Sequence, residues 1–264
     1  MRRVWLLPVL LFLPSYPVCA EGVTRVALPN GLRVIVKSDP GADIVAIDAL
    51  LDVSAADEPP GKEGLRQLTQ RLLLRGTKDA SGDEMGRRLA AVGGIADAAA
   101  SLDYVELYVV VPAAGFPVAV ELVADALRNP AFLPEEVAKQ RRAAREAIGL
   151  ARGDAFQETY LAFREALYGD HPYGRAAYGD YHSLASIGRE DLVAFHRAHY
   201  VPGKAVLAIC GGVRPGAALR LVRQLFGDWP GGQPAARQEK PVTPLQGSEV
   251  VARELRSQRA LRTS

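Results

Sequence analysis

Gln67, Gln70 and Arg71 stand at i, i+3 and i+4 in the segment GLRQLTQRLLLRGT, residues 64–77. On an α-helix that spacing puts three side chains on one face, the geometry with which a helix offers two ligands and a base to one metal ion. None of the three residue types suits that work. Glutamine is a weak neutral oxygen donor with no titratable proton, and arginine carries a permanent positive charge where a cation would lie. The face reads either as an ordinary solvated one or as a metal site emptied of its ligands.

Histidines are the next candidates. His196 and His199 lie i, i+3 near a helix end and share a face, a position where histidine also suits the helix dipole, and spacing supplies no third ligand. His171 falls in a turn-rich loop and His182 just before a serine. The chain contains no H-x-x-E-H, H-E-x-x-H, GxSxG elbow, phosphate loop or CxxC. Cys210 sits in an apolar run and is expected in the core.

The elements that must position these residues are legible from periodicity. Val23 to Val36 alternates about Asn30-Gly31, a hairpin signal. Ile44 to Val53, Tyr104 to Val111 and Ala205 to Cys210 read as strands. Helices are expected at 64–75, where Leu65, Leu68 and Leu72 make an apolar stripe, and from Gly82 to Val92 and Phe116 to Leu127. A longer one starts at Pro134-Glu135-Glu136, pauses near Gly153-Asp154 and resumes from Phe156 to Tyr168. Arg189 to His199 and Ala217 to Phe226 are the last. Strands and helices mix without a βαβ rhythm, so the class is α+β with a mostly antiparallel sheet backed by helices.

The opening MRRVWLLPVLLFLPSYPVCA reads as a secretory signal peptide over residues 1–20, which implies a periplasmic or secreted protein. Its apolar run is too short for a membrane span, and no later segment is apolar enough to be one. The 32 basic residues less Arg2 and Arg3 leave 30 against 30 acidic ones, which argues against a nucleic-acid partner. Cys210 is then the one cysteine of the mature chain, so a packed core rather than a disulfide must hold the fold. One domain is expected over 21–232. GGQPAARQEKPVTPLQG opens a linker and tail over 233–264.

Five segments in order resemble the N-terminal half of the insulinase or pitrilysin family of zinc metallopeptidases, the inverzincins. LPNGLRVIV is similar to the family's first hairpin, and GLRQLTQRLLLRGT to its G-L-A-H-F-L-E-H-M-L-F-K-G-T helix. GGIADAAASLDYVELYVVV, LYGDHPYGR and EDLVAFHRAHYVPGKAVLAICGGV follow at family spacing. The resemblance implies that the two zinc histidines of H-x-x-E-H fall on Gln67 and Arg71, and the glutamate that activates water on Gln70. It places the third ligand, a glutamate in a long helix, on Ala147 of QRRAAREAI. Glu146 is one residue off and would point elsewhere, since one residue turns a helix by about 100°.

The resemblance thus implies the family fold with no metal, no cofactor and no catalytic residue. It further implies a non-catalytic binding or structural subunit, paired with a zinc-holding homologue and receiving an extended peptide by strand addition. A second domain of the family is expected to be absent after the linker. The competing readings are an active zinc endopeptidase with non-standard ligands and an inert truncated member.

Overall fold

The structure, a computed structural model, describes residues 22–231. The expected signal peptide and the expected linker and tail lie outside the described residues. β1 (Val23–Ala27) and β2 (Arg33–Ser38) form the antiparallel hairpin that Asn30-Gly31 predicts. Gly31 takes φ 94°, the left-handed region that a side chain disfavours. The Asn30 amide donates to Phe226 O at 2.7 Å and so ties the turn to the last helix.

β3 (Ile44–Leu51), β4 (Ile95–Ala100), β5 (Val105–Pro112) and β6 (Ala205–Gly211) complete a six-stranded sheet of order β1-β2-β6-β3-β5-β4. Only β2 and β6 run parallel; the other pairs are antiparallel. In β3, Val45, Ile47, Ala49 and Leu51 are all at most 1% exposed, the period-two pattern of a strand with one face on the core. α3 (Phe116–Arg128) and α8 (Pro215–Phe226) pack on the sheet. α1 (Leu65–Leu72) lies against β4 and β5, with α4 (Pro134–Ala151) and α7 (Arg189–His199) beside it. α2 (Gly82–Ala91), α5 (Ala155–Tyr168) and α6 (Tyr181–Ser186) fill the connections.

Three readings need correction. β4 was not expected, because Ala-Asp-Ala-Ala-Ala has low strand propensity; pairing with β5 along its whole length makes it a strand. α6 was not expected either: it is six residues long, and an Asp180 capping box starts it within a turn-rich segment. Cys210 is exposed, not core. Alternation along β6 buries Leu207, Ile209 and Gly211 and turns Cys210 to the other face.

Candidate functional site

α1 is not amphipathic in place. Leu65, Leu68 and Leu72 enter the core as expected, but Arg66, Gln67, Thr69 and Gln70 are buried too. The helix runs between the sheet and α4, so its polar face meets protein rather than water. Its start is held by Gly64, at φ 94°, where a side chain would meet Tyr178 O at 2.5 Å. The Glu58 carboxylate accepts from the Gly64 N–H at 3.1 Å and the Arg66 N–H at 2.8 Å, capping two of the helix's free donors. Burial pushes the Glu58 carboxyl up to about 7 against the pull of nearby Arg66. Arg66 itself is 0% exposed; it donates to Ser101 O, and its Nε and second terminal nitrogen have no hydrogen-bond partner among the described residues.

The three residues singled out by spacing do share the face, and each is already engaged. Gln67 Nε2 donates to Ala100 O of β4 at 3.0 Å. Gln70 Nε2 donates to Glu106 O of β5 at 2.5 Å, while its Oε1 accepts from the Tyr200 hydroxyl at 2.8 Å. Arg71 lies over the ring of Tyr178, 5.2 Å from its centroid. The solvated-face reading fails for both glutamines. Tertiary packing has closed over them and given their amides fixed partners.

Gln67 and Arg71 open onto a pocket of about 420 Å³, bounded by Arg75, Tyr178, Gln140 of α4 and residues 97–100 of β4. Gln70, fully buried, is not among the residues that line it. Ala147 is half-buried and stands two turns beyond Gln140; seven residues turn a helix by roughly 700°, so the two share a stripe. Glu146 is exposed, turned away as the helical step requires. α4 therefore faces α1 as the resemblance implies, but it brings the Gln140 amide to the pocket and no carboxylate. Gln140, Arg75, Tyr178 and Tyr200 were missed from sequence. Gln140 heads the quoted α4 segment and Tyr178 lies three residues beyond the quoted loop LYGDHPYGR, yet only their convergence gives either a role.

The histidines do not converge. His196 Nε2 meets Leu127 O at 2.9 Å, and its ring stacks on Tyr200 with centroids 4.7 Å apart. Burial lowers it to about 4, and the Leu127 carbonyl opposes this. His199 instead turns toward Asp57, with Nδ1 to Oδ1 at 3.6 Å, and toward Lys204. His171 accepts from the Tyr173 N–H at 3.2 Å, and His182 is the second residue of α6. Among the described residues no three His, Cys, Asp or Glu side chains are grouped so as to hold a metal. On the α1 face the donor set is two committed amides and a guanidinium. These residues do not fit zinc.

Comparison with known proteins agrees with this architecture. The profile of insulinase, peptidase family M16, matches residues 33–180, and that of the peptidase M16 inactive domain matches 186–261. An uncharacterised zinc protease of Mycobacterium tuberculosis is 30% identical over 235 residues, 89% of this chain and 52% of that protein. One from Streptomyces coelicolor is 28% identical over 204 residues, 77% and 44% of the two chains. This chain spans about half the length of the curated relatives it matches. Among solved structures, a protease from Helicobacter pylori superposes with a TM-score of 0.78 at 21% identity, over 84% of this chain and 54% of that one. Pitrilysin gives 0.76 at 21% identity, over 85% and 24%. Both confirm the fold. With the first profile covering more than half of its length, the chain belongs to the insulinase family, peptidase family M16.

Proposed function

We propose that this chain is a non-catalytic member of the family, exported to the periplasm or beyond, acting as a binding or structural subunit beside a zinc-holding homologue. One observation carries the reading: the Gln70 amide, where the family's water-activating glutamate would stand, is bonded at both ends to Glu106 O and Tyr200. A residue so fixed offers no base. Gln67 and Arg71 beside it offer no imidazole, and Ala147 no carboxylate. No cofactor is proposed. The peptide shared with the partner is an extended segment added to the sheet at β4, the edge strand next to the pocket.

The test is metal analysis of the purified, dialysed chain together with peptide hydrolysis with and without chelator. The expected result is well under one zinc per chain and no hydrolysis unless a catalytic homologue is added. Stoichiometric zinc, or chelator-sensitive cleavage by the chain alone, would overturn the reading and restore the active-peptidase alternative. A variant carrying Gln67→His, Gln70→Glu, Arg71→His and Ala147→Glu should gain zinc binding, because α1 and α4 already face each other. A folded variant that binds no zinc would refute the residue assignment.

A further inference from the structure

We propose that the α1 pocket is an anion site that takes a carboxylate of the docked peptide, either its C-terminus or an acidic side chain. The inference rests on the strand-addition reading above and names what the added strand carries.

Two independent observations point to a ligand. Arg71 lies at the pocket with its guanidinium stacked on Tyr178 and makes no hydrogen bond or ion pair among the described residues. Arg75 adds a second cation and Asp97 one opposing charge, so the lining is net positive. Separately, Gln140 is only 7% exposed, lines the pocket, and its amide has no hydrogen-bond partner among the described residues. The Gln140 amide faces the pocket, and a carboxylate reaching it would accept from both the amide and the guanidinium fork. The Tyr178 ring, 5.2 Å from the Arg71 guanidinium carbon, helps to place that cation before the ligand arrives.

The edge of β4 supplies the route. Ser101 N–H donates to Tyr104 O at 2.9 Å across the turn between β4 and β5. Antiparallel ladders alternate, so 99 and 97 bond to β5 while Ala100, Ala98 and Ala96 turn their backbone groups outward. The side-chain bonds agree with that phase: Ala100 O is taken by Gln67 and Ala98 N–H by the Asp97 carboxylate at 2.8 Å. The remaining outward groups form the template on which an extended segment pairs, and that segment runs past the mouth of the pocket.

Calorimetric titration at low salt with three octapeptides of one neutral alternating sequence tests this. The first has a free C-terminal carboxylate, the second is its amide, and the third is the amide with one internal glutamate. At least one carboxylate-bearing peptide should bind about tenfold tighter than the neutral amide, and which one does so identifies the source. Arg71→Met should bring that ratio toward one, and Gln140→Leu should reduce it. If Arg71→Met does not fold, Arg71→Lys, which keeps the charge without the fork, should lose part of the preference. Equal binding of all three peptides, or a preference that survives both substitutions, overturns the anion site and leaves strand addition standing. Where none of the peptides binds, the strand reading falls and acetate decides the site alone. A saturable shift of the Gln140 side-chain amide resonances, absent from Arg71→Met, upholds it; no shift ends it.

Discussion

The hydroxyl of Tyr200, the residue that follows α7, donates to Oε1 of Gln70 in the middle of α1 at 2.8 Å, across 130 residues of chain and out of contact with solvent. The other end of the same amide donates to β5. One glutamine therefore joins the start of the domain, its sheet and its last third. Tyr200→Phe should leave the Gln70 oxygen buried and unpaired and cost about 1–3 kcal/mol in urea unfolding. Gln70→Leu alone should cost a similar amount. In the double variant the losses should fall short of their sum by about 1 kcal/mol or more, and simple additivity would mean that the bond contributes nothing.

Two buried groups give the stability opposite pH slopes. Glu58 has a folded value of about 7, above its unfolded 4.5, so its contribution is full below about 4.5 and is lost as pH rises through 7. His196 has a folded value of about 4, below its unfolded 6.5, so its contribution is full above 6.5 and is lost as pH falls toward 4. Between pH 4.5 and 6.5 the two oppose. Glu58→Gln should expose a fall in stability on acidification, and His196→Phe a fall on moving toward neutrality, each on the order of 2 kcal/mol. Urea midpoints across pH 4–8 read both; a variant with the wild-type profile would show that its group does not titrate there.

Gly64→Ala should be among the costliest single-methyl additions in the domain. The position takes φ 94°, and the added carbon would lie 2.5 Å from Tyr178 O, a backbone atom with little room to retreat. The expected loss is more than about 2 kcal/mol, with a lower melting temperature as the readout. A shift of a degree or less would contradict the tight packing of α1 against the 178–179 turn.

Cys210 should react with a thiol reagent in the native state at a rate close to that of the urea-unfolded chain, because it stands on the exposed face of β6. Strong protection, relieved only by unfolding, would put it in the core after all. Cys210→Ser serves as the control.

Elements with strong period carried their own instructions. The Asn30-Gly31 hairpin, the β-branched run of β5 and the proline-and-acid start of α4 are local signals, and each formed where its residues specify. The spacing of Gln67, Gln70 and Arg71 likewise fixed that the three share a helix face, since a helix allows nothing else. What lies opposite that face was decided only by tertiary contact. The same glutamines would be solvated on a surface helix; here β4, β5 and Tyr200 supply the partners that make their burial tolerable. β4 became a strand through its register with β5 rather than through its alanines, and Cys210 left the core because alternation is counted from strand pairing, not from hydropathy. Gln140 and Arg71 are 69 positions apart in the sequence, and only the packing of α4 against α1 brings their side chains to one pocket.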